Sequence, residues 1–206
     1  MVGRALPALG LVLAAARAGD AQVQVTIYNT YPSTAPSPTQ AYPGGTVLCS
    51  ATAFGTATGF SIDFSSAAAV DALCGAGASS RINNYQSFGA RFTGFLVAPT
   101  TASNYALTVN TDDGDVLTID GVTYDSDWIT KAYGPGYVGN IPLTAGNNPF
   151  TLDYFQGPPV QAYANFSVQG ATVIPPPPTT APEPATVVLV AAGLAGAGVA
   201  ARRRRA

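Results

Sequence analysis

Apolar and polar positions alternate in short runs along most of the chain, the period of a half-buried strand rather than of a helix. Val23 to Tyr28 alternates as a first strand, and residues 31–45, rich in Pro, Ser and Thr, read as loop. Residues 51–64 give weaker strand signals punctuated by Gly55 and Gly59. Residues 67–73 suit one or two helical turns, and 76–80 are small and flexible. From Phe88 the alternation sharpens: Phe88, Ala90 and Phe92, followed by Gly94, Phe95, Leu96 and Val97, predict a pair of strands. After a turn at 99–103, Tyr105, Leu107 and Val109 share a face. A strand over 139–143, a turn over 145–148 and a strand carrying Phe150, Leu152 and Tyr154 complete a meander. Short strands at roughly ten-residue spacing, joined by Gly- and Asn-containing turns, predict an all-β sandwich or barrel.

The stretch 111–121 organises the rest. Asp120-Gly121, flanked by Leu117, Ile119 and Val122, is a strong hairpin signal, because a two-residue turn needs positive φ and Asp-Gly tolerates it. Asp112-Asp113-Gly114-Asp115 lies at the other end of that hairpin, so three carboxylates are expected at one loop tip. Of the eleven acidic residues in the chain, six (Asp112, Asp113, Asp115, Asp120, Asp125 and Asp127) fall between 112 and 127. Two readings fit this concentration. Crowded carboxylates are relieved by a hard cation, with calcium the first candidate; alternatively, Asp and Gly are ordinary turn residues satisfied by backbone and water.

Composition narrows the function classes. Between residues 22 and 181 the chain carries Arg81, Arg91 and Lys131 against nine Asp, a balance of 3 − 9 = −6. Such a body lacks a basic surface for nucleic acid and suits cations or neutral ligands. With no histidine in the chain, Ser-His-Asp and Cys-His catalysis and the common zinc sites are excluded, and no enzymatic activity is expected. Cys49 and Cys74 are the only thiols; in an exported chain they are expected to pair, closing a loop of about 25 residues. Trp128 is expected in the core. Asn165-Phe166-Ser167 fits a glycosylation sequon of little weight.

The two ends differ from the body. Residues 1–21 read as a secretory signal: Arg4, an apolar run, then small residues suited to cleavage after Ala18 or Ala21. Residues 173–181 form a stiff Pro-rich linker. Pro182-Glu183-Pro184 follows, then seventeen largely apolar residues at 185–201 and four arginines at 202–205. Seventeen residues is the short limit for a helix crossing roughly 30 Å of hydrocarbon. The arginines place the far end in the cytoplasm.

Two resemblances follow from these residues. The succession Phe88-Gly89-Ala90-Arg91-Phe92-Thr93-Gly94-Phe95-Leu96, Tyr105-Ala106-Leu107-Thr108, Asp112-Asp113-Gly114, Leu117-Thr118-Ile119-Asp120-Gly121, Trp128, Ile141-Pro142-Leu143-Thr144-Ala145-Gly146 and Leu152-Asp153-Tyr154-Phe155 resembles the PA14 domain family. The resemblance implies a β-barrel-like sandwich over residues 22–172, usually with a carbohydrate-binding role. In the adhesin branch of that family two adjacent Asp joined by a cis peptide hold calcium, which in turn holds sugar hydroxyls. Asp112 and Asp113 match those positions, and Gln156 stands where that branch supplies an Asn. The tail, residues 182–206, resembles the PEP-CTERM sorting signal, which implies that a membrane-embedded exosortase recognises Pro182, Glu183 and Pro184. The joint expectation is an exported protein of the cell envelope or a biofilm matrix that binds polysaccharide or surface glycan through Asp112, Asp113 and Gln156. A purely structural matrix protein is the alternative.

Overall fold

The computed structural model describes residues 20–37, 42, 45–82, 87–157 and 162–177. The expected leader lies outside these apart from its last two residues. The sorting motif Pro182, Glu183 and Pro184, the apolar segment 185–201 and the arginines 202–205 lie wholly outside. Among the described residues no helix is long and apolar enough to cross a membrane.

The body is all-β, as the alternation predicts. Among the described residues eleven strands follow in chain order: β1 (Asp20–Tyr28), β2 (Val47–Thr56), β3 (Gly59–Asp63), β4 (Phe88–Ala98), β5 (Ala102–Asp112), β6 (Asp115–Ile119), β7 (Val122–Asp127), β8 (Gly134–Leu143), β9 (Gly146–Gln156), β10 (Tyr163–Val168) and β11 (Thr172–Ile174). The helix α1 (Ala67–Cys74) and a 3-10 turn at Ser79–Arg81 lie between β3 and β4. The helix begins where the Ser66 hydroxyl accepts from the Ala69 N–H and ends at Gly75, whose φ is 91°.

The strands form one antiparallel path, β7-β6-β9-β4-β1-β2-β3-β10-β5-β8, with β11 added to β4. Its terminal strands β7 and β8 touch, although no ladder joins them. A single core fills the space between, built from the inward positions of each strand. Its centre is a run of rings: Phe92 on Phe60 at 5.0 Å, Phe60 on Phe166 at 5.4 Å and Phe166 on Phe150 at 5.0 Å. Stacked pairs of this kind each contribute about 0.5–1.5 kcal/mol beyond their buried area.

Three expectations are corrected. Residues 88–97 are one strand, not a pair, because Phe88 to Ala98 pairs along its whole length with β9. The linker starts later than residue 173: Val173 is buried and Thr172–Ile174 completes the sheet on β4. Trp128 is half-buried at the edge of the core, its ring packed on Phe155 and its indole N–H donating to the Pro32 carbonyl at 3.0 Å.

That last contact belongs to a set that pins the Pro-rich loop onto the sheet. Tyr42 stacks on Tyr28 at 4.2 Å, and Tyr31 stacks on Phe155 at 4.5 Å. Arg91 lies over the Tyr42 ring at 5.7 Å and donates to the Ser37 carbonyl at 3.1 Å. The guanidinium is forked onto buried Asp153, Nε to Oδ1 at 2.6 Å and the second nitrogen to Oδ2 at 2.9 Å. The disulfide Cys49–Cys74 ties β2 to the end of α1.

Candidate metal and ligand site

β5 ends at Asp112 and β6 starts at Asp115, so the two residues between them turn the chain across the end of the sheet. The Asp112–Asp113 peptide bond is cis. Gly114 is packed so closely that a Cβ there would meet the Phe155 ring, the Asp127 carbonyl and the Ile129 nitrogen. Its carbonyl accepts from the Phe155 N–H at 3.0 Å, which hooks the turn onto β9.

Both carboxylates are buried, Asp112 at 9% and Asp113 at 2% exposure. Backbone donors hold them in place. Asp113 Oδ1 accepts from the Lys131 N–H at 2.9 Å and Oδ2 from the Gly157 N–H at 2.7 Å. Asp112 Oδ2 accepts from the Tyr133 N–H at 3.0 Å. Burial, then the neighbouring Asp113 charge, raises the Asp112 pKa against the opposing Tyr133 N–H. Burial raises that of Asp113 as well, opposed by the two N–H groups and the Lys131 charge. At both carboxylates burial outweighs the donors that face them.

Gln156, at the end of β9, reaches the same place. The Tyr154 hydroxyl lies 2.7 Å from Gln156 Oε1 and bonds to the Asp112 carbonyl, so one buried phenol links the amide to the aspartate pair. Burial, with the charges of Asp113 and Asp112 behind it, holds the Tyr154 pKa well above its ordinary value. It stays a donor at every ordinary pH.

Asp115 departs from the three-carboxylate tip that the sequence suggests. It is fully buried in β6 and joins a different group. Its Oδ1 accepts from the Thr111 hydroxyl and, at 3.2 Å, from the Lys131 ammonium, which also meets Asp127 Oδ2 at 2.7 Å. Asp125 completes this group, and burial followed by the Asp115 charge pushes its pKa up to about 7. The acidic stretch thus divides into an Asp112/Asp113 pair, an Asp115/Asp125/Asp127 group in which Lys131 pairs with Asp115 and Asp127, and Asp120 apart at the β6–β7 turn. Among the described residues no three His, Cys, Asp or Glu come together in a metal-holding cluster.

Lys131, Tyr154 and the N–H donors of Tyr133 and Gly157 escaped the sequence reading. Lys131 had a signal: it is the only lysine in the chain and follows directly on the acidic stretch.

Comparison with known proteins adds two findings. Residues 180–205 match the PEP-CTERM protein-sorting motif. A match of this kind implies export with membrane-associated sorting. No curated protein matches the chain. Among solved structures, the chain is similar to an anti-sigma factor domain-containing protein at 17% identity and a TM-score of 0.49, covering 75% of this chain and 48% of that one. The chain thus spans about half of that protein's length. It is similar to the PA14 domain of the antifreeze protein MpAFP at 13% identity and a TM-score of 0.49, covering 77% and 93%. It is also similar to a PA14 sugar-binding domain from an RTX adhesin at 18% identity and a TM-score of 0.46, covering 74% and 94%.

Proposed function

We propose that the body is a carbohydrate-binding module of an exported envelope or matrix protein, in which Asp112, Asp113 and Gln156 hold a calcium ion that accepts sugar hydroxyls. The observation that carries this reading is a pair of adjacent, buried carboxylates whose only close cation among the described residues, Lys131, is engaged by Asp115 and Asp127. The donor set fits a hard cation. The chain has no histidine and its two cysteines are bonded to each other, so it offers a metal oxygen ligands only. Two carboxylates and one amide leave most of a six- to eight-oxygen shell to water and ligand hydroxyls. The arrangement favours binding over bond cleavage, because glycoside hydrolysis needs two carboxylates set apart across the sugar ring. Asp112 and Asp113 are instead neighbours in one turn.

The tail supplies the route. A membrane-embedded exosortase-type enzyme recognises Pro182, Glu183 and Pro184 while residues 185–201 sit in the bilayer and arginines 202–205 face the cytoplasm. The body is then delivered to the outside, where exopolysaccharide is its partner.

A second reading, a structural protein with a purely structural Asp-Asp-Gly turn, is favoured by one observation: both Asp113 oxygens already accept backbone N–H groups. Calorimetric titration of the purified protein with calcium separates the two. The calcium reading expects a saturable isotherm in roughly the 10⁻⁴ to 10⁻³ M range of extracellular sites, abolished in Asp113→Ala, and retention on a neutral polysaccharide without amino groups lost on chelation. Retention that persists in excess chelator and in Asp113→Ala would leave only the structural reading of the turn.

A further inference from the structure

The path of the sheet leaves a cleft where its two ends meet, at the far end of β6 from Asp112 and Asp113. A cavity of about 400 Å³ opens there, between the β6–β7 turn, the start of β5 and the end of β8. Its floor is apolar, with Ile119 and Leu143 both buried, and Val122 stands at its mouth 54% exposed. Tyr124 is brought to it by an irregularity in the ladder: Thr118 faces Thr123 and Leu117 faces Asp125, so Tyr124 is the extra residue of a bulge. A bulge redirects the side chain it carries. Ser103 and Asp120 add a hydroxyl and a carboxylate to this lining.

The charges select among ligands. Asp120 is the one charged residue of the lining, and the body around it carries −6 between residues 22 and 181. An anionic ligand is repelled, whereas an ammonium group gains an exposed ion pair with Asp120 that a neutral ligand does not. The volume lies at the small end of ligand sites and suits one ring rather than a chain of them.

We propose that this cleft is a second, calcium-independent carbohydrate subsite that takes an amino-sugar unit. The C–H face of the ring lies on Tyr124 and Val122, a ring hydroxyl meets Ser103, and the ammonium pairs with Asp120. Two subsites at opposite ends of one body make it bivalent, able to cross-link glycan chains.

The subsite stands whether or not Asp112 and Asp113 bind a metal, and the experiment is arranged to keep the two apart. Full-length Asp113→Ala protein in excess chelator is titrated with a glucosamine oligomer, its N-acetylated counterpart and a glucose oligomer of equal length, with backbone amide NMR shifts as readout. Shifts are expected at residues 101–103, 119–124 and 142–144 with the glucosamine oligomer, and markedly weaker ones with the other two. Asp120→Asn is expected to weaken glucosamine binding roughly 2- to 5-fold, the worth of an exposed ion pair. That variant keeps the turn, since Asn-Gly suits the same hairpin geometry. No shifts at these positions, or equal response to free and N-acetylated oligomers, would overturn the proposal.

Discussion

At the scale of single residues, one ion pair and one carboxylate bear on stability. Arg91 and Asp153 form a forked pair with side chains 12% and 0% exposed. Truncating one partner leaves the other charge buried and unpaired, which costs about 3–5 kcal/mol, whereas replacing both by apolar groups of similar volume costs far less. Urea unfolding should therefore show Arg91→Ala destabilised by about that amount and Arg91→Met/Asp153→Leu closer to the parent; the reverse order would contradict the pairing. Asp125 gives a pH dependence. Burial, then the Asp115 charge, pushes its pKa up to about 7, so the folded state holds this proton more tightly than the unfolded chain does. The stabilisation is complete below the ordinary carboxylate range and lost as pH rises through about 7. In calcium-free buffer the unfolding midpoint should fall as pH rises from the ordinary carboxylate value of 3.8 to about 7, and the fall should shrink in Asp125→Asn. An undiminished slope in the variant would assign the titration to another group.

At the scale of elements, turn chemistry and cross-links decide. The β6–β7 turn has Asp120 at φ 50° and Gly121 at φ 79°, the double left-handed geometry that Asp-Gly tolerates, and it pairs Ile119 with Val122. This hairpin was legible because its cause is local. Gly136 was not: a Cβ on β8 there would come within 2.5–2.6 Å of the Asp115 and Asp125 carboxylate oxygens, a crowding visible only once β6, β7 and β8 are assembled. The Cys49–Cys74 bridge spans 25 residues between β2 and α1. Its loss in Cys49→Ser/Cys74→Ser should cost roughly 3 kcal/mol on the loop-entropy account. A melting temperature unchanged from the oxidised parent would show that the loop between them is already ordered without it.

At the scale of the whole molecule, the sheet is completed late in the chain. β11 pairs Thr172, Val173 and Ile174 with Val97, Leu96 and Phe95 of β4, and Val173 is 1% exposed. A protein ending at Pro177 should therefore melt like the parent, while one ending at Gln169 should lose at least about 2 kcal/mol, the worth of a buried valine and its ladder. Equal stability of the two truncations in thermal unfolding would remove β11 from the fold's requirements. The same view shows why the acidic stretch reads as one cluster in sequence and as separate groups in space. Every residue of β6 is buried, so Asp115 faces neighbours supplied by distant strands.

What the sequence determined by itself is whatever depends on near neighbours along the chain: the strand periodicity, the Asp-Gly turn, the candidate Asp112–Asp113 pair and the sorting motif now matched at 180–205. Tertiary structure alone decided which carboxylates share a site, that the Lys131 ammonium pairs with Asp115 and Asp127 rather than with Asp112 or Asp113, and where the sheet leaves a cleft. The physical reason is separation. Gly157 reaches Asp113 from 44 residues away and Tyr154 reaches Asp112 from 42, contacts that exist only after the strands have packed.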